Sequence, residues 1–143
     1  MIPRYSRYEE SDISLLRLFP ANWEIVKLRH IFQLVSIKGR PDLPLLSVTR
    51  EHGVIKRDTS YRDGNHNYIP DDLNNYKVVK CGQFVVNKMK AWQGSYGISR
   101  YDGIVSPAYY VFIIKIGVGE FIHRALRSIY YIPYFIQSSD GIR

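Results

Sequence analysis

The chain holds a single cysteine, Cys81, so no disulfide closes within it, and that scarcity points to a reducing compartment. Long hydrophobic runs are missing too. The longest, from Ala108 to Ile114, stops at Lys115, well short of the roughly 20 apolar residues that cross a bilayer. Arg4, Arg7, Glu9, Glu10 and Asp12 interrupt any apolar start of the kind a secretory leader needs. The expectation is a cytoplasmic protein with no membrane partner.

Acidic residues are absent over a long central stretch. Between Leu73 and Tyr101 there is no Asp or Glu, while Lys77, Lys80, Lys88, Lys90 and Arg100 all fall there. A one-signed stretch rich in Val, Tyr and amide side chains suits a surface that faces a polyanion.

The equipment of catalysis is sparse. Gly117-Val118-Gly119 lacks the third glycine and the Lys-Ser/Thr step of a phosphate loop, and reads as a strand-to-helix turn. His30, His52, His66 and His123 are scattered, with no pair at the four-residue helical spacing of a metal motif. No lysine has an acid two residues before it, as a carboxylate-lysine nuclease would show, and Ser106 lies in no nucleophile-elbow pattern. His66 in Gly64-Asn65-His66-Asn67 superficially resembles a nuclease metal loop without its downstream histidine. The residues describe a binding protein rather than an enzyme, without metal or other cofactor; a small basic metal-dependent nuclease is the alternative.

What is present is ordinary globular material with a basic bias. Of 143 residues, 45% are hydrophobic and 23% charged, enough for one domain with a real core over residues 1–143. The formal net charge of +7 and the 12 tyrosines favour an anionic partner, most often nucleic acid.

Periodicity places helices near both ends and strands between. Ile13 to Phe19 reads as a short helix capped by Ser11 or Asp12 and closed by Pro20. Trp23 to Leu28 alternates like a strand, and His30 to Val35 has helical spacing. Leu43 to Val48 reads as a strand, with a hairpin or turn around Gly53. Ser60 to Asn75 is a loop, or a loop with a short helical turn at Pro70 to Leu73. Lys77 to Val79, Phe84 to Lys88 and Ile104 to Ile116 read as strands, with Gly94 to Gly103 as a turn region. Gly119 to Tyr131 is a helix, and Pro133 opens a further helical or irregular segment. The fold class is α+β, with a central, largely antiparallel sheet.

Several runs carry a family resemblance: Trp23-Glu24-Ile25-Val26-Lys27-Leu28, Pro44-Leu45-Leu46-Ser47-Val48, Gly53-Val54-Ile55 and Tyr76-Lys77-Val78-Val79-Lys80. More specific are Asn87-Lys88-Met89-Lys90-Ala91-Trp92-Gln93-Gly94 and Asp102-Gly103-Ile104-Val105-Ser106-Pro107-Ala108-Tyr109, with Ser139-Asp140-Gly141-Ile142-Arg143 at the close. In this order they resemble the target-recognition domain of type I restriction-modification specificity subunits. The resemblance implies a module that reads one half of a split sequence in double-stranded DNA. Modification (methyltransferase) and restriction subunits would then methylate or cleave. It also implies that S-adenosylmethionine and ATP belong to those subunits, so no cofactor binds here. Family members continue into further strands and a spacer helix; this chain shows one such domain and no sustained heptad, so a truncated form is expected. A remnant that has lost autonomous DNA binding is a further alternative.

Lys and Arg grip phosphates without reading sequence, whereas Arg, Asn and Gln read base edges. The candidate DNA-binding residues are Arg40, Arg50, Lys56, Arg57, Arg62, Asn65, Lys88, Lys90, Gln93 and Arg100. Arg40, Arg57, Arg62, Lys88 and Lys90 are expected to line one basic groove. Gln93 is expected to offer an amide suited to adenine, and the loop from Arg57 to Asn75 is where sequence readout is sought. Residues shared across such a family should be scaffold, because base readers vary; this favours structural roles for Trp92, Ser106 and Pro107.

Overall fold

A computed structural model of the chain describes residues 5–13, 17–57, 69–117, 119–128 and 131–138. The strands are β1 (Tyr8–Glu10), β2 (Leu18–Pro20), β3 (Phe32–Val35), β4 (Leu46–Thr49), β5 (Gly53–Lys56), β6 (Lys77–Val79), β7 (Phe84–Asn87), β8 (Tyr96–Ile98), β9 (Gly103–Val105) and β10 (Tyr109–Ile114). The helices are α1 (Leu28–Ile31), α2 (Gly119–Leu126) and α3 (Ile132–Ser138), with a 3-10 turn at Ala91–Gln93. The class is α+β, and the named strand ladders are antiparallel.

Strand β10 organises the molecule. Its six residues, Tyr-Tyr-Val-Phe-Ile-Ile, carry no charge and are β-branched or aromatic, so it pairs on both sides in a sheet of order β3-β10-β7-β8. Opposite partners share a face, so the register sorts the side chains. Val35, Val85, Val111 and Tyr109 point one way; Leu34, Phe84, Val86, Tyr96, Tyr110 and Phe112 point the other.

The first face is sealed by the ribbons β4-β5 and β6-β9, giving a core of Leu46, Val48, Val54, Val79, Val85, Val105 and Val111. Val79, Val85, Val105 and Val111 are fully buried, each contributing about 1.5–3 kcal/mol relative to exposure. The second face packs Phe84, Val86, Ala91 and Tyr96 against Leu126 of α2 and Phe135 of α3. Tyr96 stacks on Phe135, their centroids 4.9 Å apart, and its hydroxyl donates to the Leu126 carbonyl at 2.9 Å.

Ribbon β6-β9 meets ribbon β4-β5 at Gly103. A Cβ there would lie 2.5 Å from the Pro44 carbonyl oxygen and 2.6 Å from Leu46 Cγ, so only glycine fits. The neighbouring Ile104 forms an isolated parallel bridge with Leu45.

Several local expectations are overturned. The helix expected over Ile13 to Phe19 gives way at its C-terminal end to β2, which pairs with β1 through Tyr8↔Pro20 and Glu10↔Leu18; residues 14–16 lie outside the described set. Pro20 is tolerated at this ribbon's end, where its missing N–H breaks no ladder. Residues 23–27 form no ladder, and the helical spacing of His30 to Val35 is used only by the single turn α1. From Phe32 on, pairing with β10 prevails over local spacing. The expected strand Ile104 to Ile116 is two strands in different sheets, split at Ser106-Pro107-Ala108. Proline lacks the N–H a continuous ladder would need. The presumed turn region after Gly94 contains β8. At Pro70 to Leu73 there is no helix; the Asp72 carboxylate accepts the Asn74 N–H at 2.8 Å, closing a turn instead.

Candidate nucleic-acid interface

Cations collect where β10 begins. Antiparallel pairing sets Tyr109 opposite Asn87 and Lys77 opposite Val105, so the C-terminal end of β7 and the start of β6 converge on Tyr109-Tyr110. Beside β6 runs the segment carrying Lys38, held by the Val78 N–H donating to the Ile37 carbonyl at 2.7 Å. Lys77 Nζ donates to the Tyr109 carbonyl at 2.6 Å and stands 5.5 Å from the Tyr110 ring centroid, with Lys88 Nζ 5.9 Å from the same ring. Burial holds the Lys77 pKa below its ordinary value, and the charges of Lys38 and Lys88 press it in the same direction. Like charges held together are costly in isolation and favourable opposite an anion. On the other side of β10, burial raises the Tyr109 pKa against the opposing pull of the Arg57 charge.

The expected DNA-binding residues are distributed as follows. Arg57, whose N–H donates to the Leu45 carbonyl at 2.8 Å, and Lys88 belong to this Tyr109-Tyr110 region. Lys56 stands over the Tyr101 ring at 5.0 Å, and exposed Arg100 directly precedes that tyrosine. Lys90 and Gln93 are exposed at either end of the 3-10 turn, where the Gln93 N–H donates to the Lys90 carbonyl at 3.0 Å. Arg50 is exposed in the β4–β5 turn, and its carbonyl accepts Arg127 Nη2 at 2.8 Å. Arg40 is tied to Asp42 by two bonds of 2.8 and 2.7 Å, and this pair lowers the Asp42 pKa and raises that of Arg40. Its charge is therefore largely answered within the loop. Arg62 and Asn65, with His66, lie outside the described residues.

Two cations were missed as site residues. Lys77 stood in the acid-free stretch but was assigned no role, and Lys38 gave no local signal. Only the pairing of residue 37 with residue 78 brings Lys38 beside Lys77.

The motif residues between the cations build the scaffold. Asn87 is buried, and its Oδ1 accepts the Met89 N–H at 3.1 Å, shaping the turn after β7. Gly94 closes the 3-10 turn at φ 86°, a left-handed conformation that favours glycine. Asp102 accepts the Cys81 N–H at 2.8 Å and pairs with Lys80 at 3.3 Å; the Cys81 bond is the larger cause of its lowered pKa. Ser106 Oγ accepts the Ala108 N–H at 3.3 Å where β9 hands over to β10.

Among the described residues no group of three or more His, Cys, Asp or Glu could hold a metal ion, and no helix is long and apolar enough to cross a membrane. Set against known proteins, the sequence matches no protein-family model and no curated protein.

Proposed function

We propose that the chain binds double-stranded DNA, as a target-recognition module of a type I restriction-modification specificity subunit acting in the cytoplasm. Partner modification and restriction subunits carry out methylation and cleavage. The observation that supports DNA binding is the approach of Lys77 and Lys88 to the Tyr110 ring, where burial and the charges of Lys38 and Lys88 hold the Lys77 pKa below its ordinary value. Phosphates of a backbone tracking past these lysines relieve the repulsion and accept charge-assisted bonds. Exposed Lys90 and Gln93 lie in the turn that follows β7 as further contacts, whereas Arg100 lies at the opposite end of that strand, where Gly82 N–H donates to the Ser99 carbonyl at 2.8 Å. The assignment to a specificity subunit is supported by the sequence resemblance alone.

Fluorescence anisotropy with a labelled duplex at graded salt tests the binding. Affinity is expected to fall steeply as salt rises, the signature of counterion release. Salt-insensitive binding, or none at low salt, overturns it. Co-purification with a modification subunit tests the role in the complex separately.

A further inference from the structure

The second face of the four-stranded sheet is only partly covered by α2 and α3. Beside them a groove of about 490 Å³ stays open over β3, β10 and β7. Phe32, Phe84 and Phe112 line it from the sheet, the Phe32 ring meeting Phe84 at 5.2 Å and Phe112 at 5.7 Å, and Leu126 and Phe135 line it from the helices. Leu34, 57% exposed on the edge strand β3, forms its outer lip.

Among the described residues, the charged ones in the lining are Arg29 and Lys88, both cationic, and beyond them the Tyr110 hydroxyl is the one hydrogen-bonding side-chain group. The size falls in the range of about 300–1,000 Å³ typical of small-molecule sites. A nucleobase is a poor occupant, because its polar edge would find few partners and the ammonium groups of Lys77 and Lys88 already attend the Tyr110 ring. A cation is repelled at the rim. An alkyl or aryl chain needs no hydrogen bonds, and a carboxylate at its end meets both cations.

We propose that this groove binds a small amphipathic anion, an alkyl or aryl carboxylate, with its chain on the phenylalanines and its head group at Arg29 and Lys88. The site is separate in chemistry from the phosphate cluster, which it meets at Lys88.

Calorimetric titration of the full chain with laurate tests this, with dodecyltrimethylammonium as the charge-reversed probe. Laurate is expected to saturate a single site and to bind at least about tenfold more tightly than the cationic probe, since reversing the head-group charge turns attraction into repulsion. Leu34→Glu, at an exposed position where folding is retained, should weaken laurate by about tenfold through repulsion and lost apolar contact. Arg29→Gln should weaken it a few-fold, as expected for a rim charge. Lys38→Gln, outside the groove lining, should leave laurate binding intact while reducing DNA binding, so failure of one reading is distinguishable from failure of the other. Equal binding of the two probes would mark a charge-indifferent apolar surface, such as one covered by a partner polypeptide, and overturn the proposal. The absence of saturable laurate binding, or binding unchanged in Leu34→Glu, would overturn it as well.

Discussion

Lys38→Gln is the most direct probe of the cationic cluster. Lys38 is exposed, so its removal disturbs no core contact, yet it lies close enough to depress the Lys77 pKa. If Lys38, Lys77 and Lys88 each neutralise a phosphate, log K should fall against log salt with a slope of about −2.7, at about 0.9 per contact. Between about 50 and about 200 mM salt, affinity then drops about fortyfold. Lys38→Gln should reduce the slope to about −1.8, and the same change in salt then costs only about twelvefold. The control is Lys80→Gln, whose ammonium is already paired with Asp102 at 3.3 Å. Anisotropy titrations of the three proteins at several salt concentrations supply the slopes. An unchanged slope for Lys38→Gln, or an equal loss for Lys80→Gln, refutes the placement of the DNA contact at Tyr110.

Other outcomes follow from the same geometry. Because Lys77 is protonated less readily than usual and a phosphate favours its charged form, DNA affinity should decline as pH rises through a value below the ordinary lysine 10.5, and Lys77→Gln should remove that limb. His123 is packed against Phe84 and Tyr96, its Nδ1 buried without a hydrogen-bond partner. Burial and Arg127 hold its pKa below 6.5, with Arg124 adding to the effect and Glu120 opposing it. The unfolded chain therefore takes up the proton first, and stability is constant above 6.5 and falls as pH drops from there through the lowered folded value. Thermal melts of His123→Leu should lack this decline in the window above the carboxylate range. Gly103→Ala forces a Cβ onto Pro44 and Leu46 and should destabilise the fold by about 2–3 kcal/mol in urea melts. Arg127 joins the Arg50 and Gly94 carbonyls at 2.8 and 3.0 Å, so Arg127→Ala should lower stability by about 1–2 kcal/mol, with Arg127→Lys recovering only part.

The uncharged run Tyr109 to Ile114 is all β-branched or aromatic, and Val78-Val79 and Phe84 to Val86 share that character, so these strands were legible locally. The helix after Gly119 was legible from its spacing, whereas the segment from Pro133 read as helical or irregular and packing against Tyr96 accompanies its helix. Phe32 to Val35 was not legible. Its residues fit a helix or a strand equally, and the demand of β10 for a second partner decided the matter. The break at Pro107 was misread for a related reason, since a run of strand formers does not say which sheet each half joins.

The charges divide along the same line. Sequence alone determined that the chain is basic and that its centre carries no acid, because these are properties of composition and order. Which cations act together was decided by tertiary structure. Arg40 is answered by a carboxylate two residues away, whereas Lys77 and Lys88 meet at Tyr110, and Lys38, fifty positions before Lys88, comes near enough for its charge to act on Lys77. Coulomb forces depend on distance in space, and that distance is set by which strands pair.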